Sequence, residues 1–152
     1  MMCEICQGAS DDELLFGIYG RIHNFGWGIE YVQGRGVSDS WGYTIGLTEG
    51  FGHPELALAG SDMQTTALLI NSIGRAISRG DMPTPGELFV CNGNQLLLVE
   101  VHSAHYERGT FGMWNFYYDH LEEAPEEHRV LEVVPEGRSS CFTNAPATAG
   151  GE

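Results

Sequence analysis

The stretch Trp41–Gly60, WGYTIGLTEGFGHPELALAG, decides how the rest of the chain is read. It reads as two strands joined by a Gly-rich connection. Strand alternation puts Trp41, Tyr43, Ile45 and Leu47 on one side and Gly42, Thr44, Gly46 and Thr48 on the other. In the second strand Leu56 and Leu58 share a face, and Ala57 and Ala59 share the opposite one. Small residues on a sheet face allow close approach of another element, most simply the helix that follows. Between the strands, Glu49-Gly50-Phe51-Gly52-His53-Pro54-Glu55 brings polar groups onto a backbone that glycine leaves free to bend. Loops held by a rigid sheet are where chemistry usually sits, although a wide hairpin with glycines for turn geometry would look the same.

Upstream, Ser10 and Glu13 form a capping box for a helix whose apolar stripe is Leu14, Leu15, Ile18, Ile22 and Phe25. Trp27 to Val32 alternates as a first strand. Downstream, Ser61 and Gln64 form a second capping box, and Met63, Ala67, Ile70, Ile73, Gly74 and Ile77 recur at helical spacing. Gly74 inside that stripe costs about 1 kcal/mol against alanine, so a close contact with the small sheet face is expected. Glu87–Cys91 and Gln95–His102 form a hairpin around Asn92-Gly93-Asn94. Thr110–Leu121 is an aromatic helix, and Val130–Val134 is a last strand.

The expected fold class is therefore α+β: a mainly antiparallel sheet of about six strands with three helices, in the order αβββαββαβ. Residues 1–9 form an N-terminal C-x-x-C segment, 10–136 a single domain, and 137–152 a tail expected to be disordered.

Composition excludes several classes of function. The chain has 152 residues, 42% of them hydrophobic, so it can bury a core of its own. No apolar run approaches the roughly 18 residues a membrane span needs, and no signal-peptide pattern is present, so the expected location is cytoplasmic. All seven basic residues are arginine, against 21 acidic ones. Without lysine there is no Schiff-base chemistry and no Walker-type lysine. A net charge of −14 without a basic patch argues against nucleic acid as a partner.

Three classes of function remain open. In the first, a small molecule is bound or transformed in a pocket between the sheet and the aromatic helix. Its acid/base groups would be His53 and Glu55 from one loop, with Glu49 beside them, and His102 and His105 from the end of the hairpin. Tyr43, Thr44, Trp114, Tyr117 and Tyr118 would contact the ligand, although such aromatic stripes more often form core. In the second, the protein binds metal. Glu100-x-His102-x-x-His105, or the Cys3/Cys6 pair completed by further ligands, would suit zinc or another divalent ion. The third is a non-catalytic module that binds a protein partner through an exposed apolar patch. The sequence does not fix the oligomeric state.

The segment YTIGLTEGFGHPELALAG, preceded by GWGIEYV and an N-terminal CEIC, resembles the uncharacterised bacterial family called domain of unknown function 4262. The likeness runs from residue 3 to about 136 and is most specific in Y-T-x-G-L-T followed by H-P-E-L. At the C-terminal end Val133-Val134-Pro135-Glu136 departs from the family pattern. The resemblance implies the domain boundaries and no particular reaction.

Overall fold

In the computed structural model, residues 11–91, 93–102, 105, 111–119 and 129–142 are described. Among these residues four helices and six strands follow one another as α1 (Asp11–Phe25), β1 (Gly28–Val32), β2 (Trp41–Ile45), α2 (Leu47–Phe51), β3 (Glu55–Ala59), α3 (Met63–Ser78), β4 (Leu88–Cys91), β5 (Asn94–Glu100), α4 (Gly112–Asp119) and β6 (Val130–Pro135). A 3-10 turn, Val37–Asp39, separates β1 from β2. The class is the expected α+β, with one helix more than the sequence indicates. That helix is α2, which replaces the Gly-rich hairpin connection and takes Leu47 and Thr48 out of the strand they were assigned to.

The six strands form one sheet in the order β1-β2-β3-β6-β5-β4. All neighbours are antiparallel except β3 and β6, which run parallel. The last strand in sequence thus lies at the centre of the sheet. Its residues Val130 to Val134 are all buried, as a strand covered on both faces requires.

Each face of the sheet carries its own core. On one side α3 packs Leu69, Ile70, Ile73 and Ile77 against Leu56, Leu58, Leu96, Leu98, Leu131 and Val133. On the other, Ile18 of α1 and Tyr117 and Tyr118 of α4 meet Tyr43, Ile45, Ala57, Val130 and Phe142. The register explains the small residues. Gly42 pairs with Leu58 and Tyr43 with Ala57, so each face receives one large and one small residue per pair. A Cβ on Gly42 would lie 2.6 Å from Thr66 Cγ2 of α3, which is the close helix approach expected of the small side.

Three local readings change. The side chain that caps α3 is Asp62, whose carboxylate accepts from the Thr65 N–H at 2.7 Å. Ser61 is occupied elsewhere, its carbonyl accepting from the Tyr31 hydroxyl at 2.6 Å and its hydroxyl from Arg138 at 3.2 Å. Phe25, placed on the inner stripe of α1, is 73% exposed. What lies nearest Gly74 is the Trp27 indole, just ahead of β1, where a Cβ would be 2.6 Å from Cζ2. Ser10, Asn92 and Leu121 lie outside the described residues. The fold continues past Glu136. Buried Glu132 accepts from the Ser140 hydroxyl (2.7 Å) and from the N–H groups of Cys141 (2.8 Å) and Phe142 (2.9 Å), which ties residues 140–142 to β6.

Gly74→Ala sets two effects against each other. Alanine favours the helix by about 1 kcal/mol, while forcing a methyl against a fixed ring costs about 1–3 kcal/mol. With a 2.6 Å contact the second wins, so the urea midpoint should fall. Adding Trp27→Phe, which removes the ring that Cζ2 belongs to, should recover part of the loss.

Candidate functional site

The corner after β2 is held by one carboxylate. Gly46 caps α2 with a φ of 117° and has no side chain to offer its N–H groups. A side chain there is excluded twice over, since a Cβ would be 2.9 Å from Ile22 Cγ1 and the backbone is left-handed. Glu55, the first residue of β3, supplies the cap from outside the helix. It accepts from the N–H groups of Gly46 (3.2 Å), Leu47 (3.1 Å) and Thr48 (3.1 Å). The Thr44 and Tyr118 hydroxyls donate to it at 2.7 and 2.6 Å. Glu55 is fully buried. Burial raises its pKa above the ordinary 4.5, and the hydrogen bonds from Tyr118, Thr44, Thr48 and Leu47 pull against that rise without cancelling it. The Tyr118 phenol is in turn pushed well above its usual range by burial and by the adjacent carboxylate.

Gly52 ends α2 in a left-handed conformation, and the chain turns through His53 and Pro54 into β3. His53 is buried with each ring nitrogen against a backbone carbonyl: Nδ1 lies 2.8 Å from Pro54 O and Nε2 2.7 Å from Pro83 O. Carbonyls only accept, so a ring carrying both protons donates to both and a neutral ring donates to one. The Pro83 contact fastens the α2–β3 turn to the Pro-rich connector after α3. A cavity of about 290 Å³ opens over this junction, walled by Phe51, His53, Pro83, Pro85, Leu131 and Arg129. Arg129 stands just ahead of β6; its carbonyl accepts from the Glu55 N–H at 3.0 Å. Its guanidinium donates to Glu100 at the end of β5, at 2.6 and 3.3 Å.

The family model for the domain of unknown function DUF4262 matches residues 21–147. The chain belongs to that family. No curated protein matches it, and no solved structure does.

Within this DUF4262 domain the nominated residues separate into distinct groups. Thr44, Glu55 and Tyr118 meet in the carboxylate cluster. Tyr117 donates to Glu49 at 2.8 Å, and burial together with that bond raises its pKa far above the ordinary value. The Tyr43 hydroxyl accepts from the Met113 N–H at 2.9 Å. These three tyrosines therefore fasten α4 to the corner from within the core; the Trp114 side chain lies outside what is described. His53 faces the cavity beside Leu131, on the α3 side of the sheet. His105 is buried on the other side, edge-on to Phe142 with ring centroids 5.2 Å apart. His102 is exposed, and its N–H donates to Phe142 O at 2.7 Å. The histidine turn and the hairpin end do share one end of the sheet, and it is Glu100, through Arg129, that reaches the cavity. Among the described residues no group of three or more His, Cys, Asp or Glu could hold a metal ion, so Glu100, His102 and His105 form no such set. Cys3 and Cys6 lie outside the described residues. No helix among the described residues is long and apolar enough to cross a membrane.

Sequence reasoning missed Arg129 and Pro83. In a chain with seven arginines, one placed directly before a strand is a signal that could have been used.

The Glu55 cluster makes a pH-dependent prediction. Its folded pKa lies above the unfolded one, so its contribution to stability is complete below about pH 4.5 and is lost as pH rises through the raised value. The Tyr118 hydroxyl donates to the ionised form and so matters most above that window. Tyr118→Phe should cost about 1.5–3 kcal/mol on the alkaline side of the raised pKa, the range for a hydrogen bond to a charged group, and less on its acid side. Urea denaturation across a pH series checks this; a loss that does not change with pH would contradict it.

Proposed function

We propose that the protein binds a small molecule in the His53–Arg129 cavity and does not act on it by acid–base catalysis. The observation that carries this reading is how the catalytic-looking residues are used. Glu55 has its oxygens filled by five donors, and both nitrogens of His53 are taken up by backbone carbonyls. Neither is offered to the cavity as a base, yet the cavity exists and has a cation on its wall.

That wall defines the ligand class. Phe51, Pro83, Pro85 and Leu131 suit an apolar body, and the Arg129 guanidinium suits a carboxylate or another oxyanion. Arg129 is already shared with Glu100, but both side chains are close to half exposed. A pair in that setting is worth about 0–1 kcal/mol, so an incoming anion can compete for the guanidinium. At about 290 Å³ the space is at the lower end of ligand pockets, which fits a small acid better than a nucleotide.

A panel of short-chain and branched carboxylic acids, screened by thermal shift, tests the reading. A true ligand at about one hundred times its Kd stabilises by about 2.7 kcal/mol, which moves the midpoint by several degrees. Arg129→Gln should fold with a midpoint close to the parent and lose that shift. A shift that survives in Arg129→Gln, or no shift with any member of the panel, would overturn the assignment.

A further inference from the structure

A second groove, of about 410 Å³, is lined by Arg21 and Phe25 of α1, Trp27, Gly28 and Ile29 at the start of β1, and Asn71 and Arg75 of α3. We infer that it binds a small planar anion, an aryl carboxylate or aryl phosphate, with the ring against Trp27 and the anionic group between Arg21 and Arg75.

Charge is the first argument. The chain carries −14, and two of its seven cationic side chains line this one groove. Arg75 is exposed, and among the described residues no ion pair or hydrogen bond engages its guanidinium. Arg21 gives one nitrogen to Glu30, while its Nε is buried without a hydrogen-bond partner. An arginine left without a carboxylate in so acidic a protein is a cation held available, because acidic partners surround it in excess.

Rigidity of the apolar floor is the second. The Trp27 indole is held on three sides. Its Nε1–H donates to Asn71 Oδ1 at 2.9 Å, its six-membered ring lies on Gly74, and Phe51 meets it edge-on at 6.4 Å. Gly28 likewise lets Arg21 lie flat on the strand, since a Cβ there would be 3.2 Å from Nε. An indole fixed this firmly at a groove wall offers stacking area with little ordering cost. The volume falls in the range of small-molecule sites, whereas a stable peptide or protein interface needs about 800 Å² per partner.

The test uses the full chain and follows tryptophan fluorescence during titration with phenyl phosphate and benzoate. Benzyl alcohol supplies the ring without charge, inorganic phosphate the charge without the ring, and a tetraglutamate peptide a flexible polyanion. Saturable binding of an aryl anion is expected, with each of these three weaker by about tenfold or more, as loss of a charge-assisted pair or a stacked ring implies. Arg75→Gln should weaken aryl-anion binding by a similar factor with a urea midpoint close to the parent's, because among the described residues its side chain holds no partner. Arg79→Gln, one turn further along and outside the groove, should bind as the parent does. The inference is overturned by undiminished binding in Arg75→Gln, by an equal loss in Arg79→Gln, or by equal affinity for tetraglutamate. Loss in Arg129→Gln in place of Arg75→Gln would also overturn it, since that assigns the anion to the other cavity.

Discussion

The structure depends on the capture of three backbone N–H groups by the Glu55 carboxylate. Moving a carboxylate out of water costs several kcal/mol even after relaxation, so a fully buried one persists only where its oxygens are filled. Here the N–H groups of Gly46, Leu47 and Thr48 fill them together with two hydroxyls. The same contacts end β2, start α2, position β3 and bring α4 onto the corner through Tyr118. Removing the side chain would leave those donors buried without acceptors, which is why the cluster acts as one unit. Glu132 repeats the device on the neighbouring strand, opposite Ala57, by gathering the N–H groups of Cys141 and Phe142. Two buried acids thus serve as fasteners for chain segments that regular sheet pairing does not hold.

This use of acids changes which residues can meet a ligand. Glutamate and histidine in the turn look like reactive groups because of their types, yet here their hydrogen-bonding capacity is spent on backbone groups and, for Glu55, on two hydroxyls. Arginine is the scarce residue in this chain, and its placement carries more information. Arg129 sits on one cavity, and Arg21 and Arg75 sit on the other. Around a strongly acidic surface such cations focus potential locally, which favours small anions over extended polyanions that would also face the surrounding carboxylates.

Much of the scaffold was legible because periodicity reports burial. The stripe Ile70, Ile73, Ile77 and the alternation of Leu96 and Leu98 each name a face, and the structure uses those faces. What stayed hidden has a physical reason in each case. Helix α2 is five residues long and its cap comes from Glu55, seven residues beyond Thr48, so no local signature marks it. Asp62 outcompetes Ser61 as a cap because the Ser61 backbone and hydroxyl are committed to Tyr31 and Arg138. The contact that explains Gly74 is with Trp27, 47 residues earlier, and a helical stripe cannot show which element will cover it. Both cavities are assembled from segments distant in sequence; the His53–Pro83 contact, for instance, spans 30 residues.

The segment that most specifically carries the family resemblance can now be read bond by bond. Thr44 accepts from the Leu56 N–H at 2.9 Å while donating to Glu55. Gly46 is required by its left-handed backbone and by the crowding of Ile22. Leu47 enters the α3-side core, and the Thr48 hydroxyl donates to His53 O at 2.9 Å. His53 clamps the connector, and Glu55 closes the cluster. Every polar member of Y-T-x-G-L-T and H-P-E is consumed in building the corner. This segment therefore specifies a corner. On the reading proposed above, the choice of ligand falls to the cavity walls, to residues such as Arg129 and Arg75.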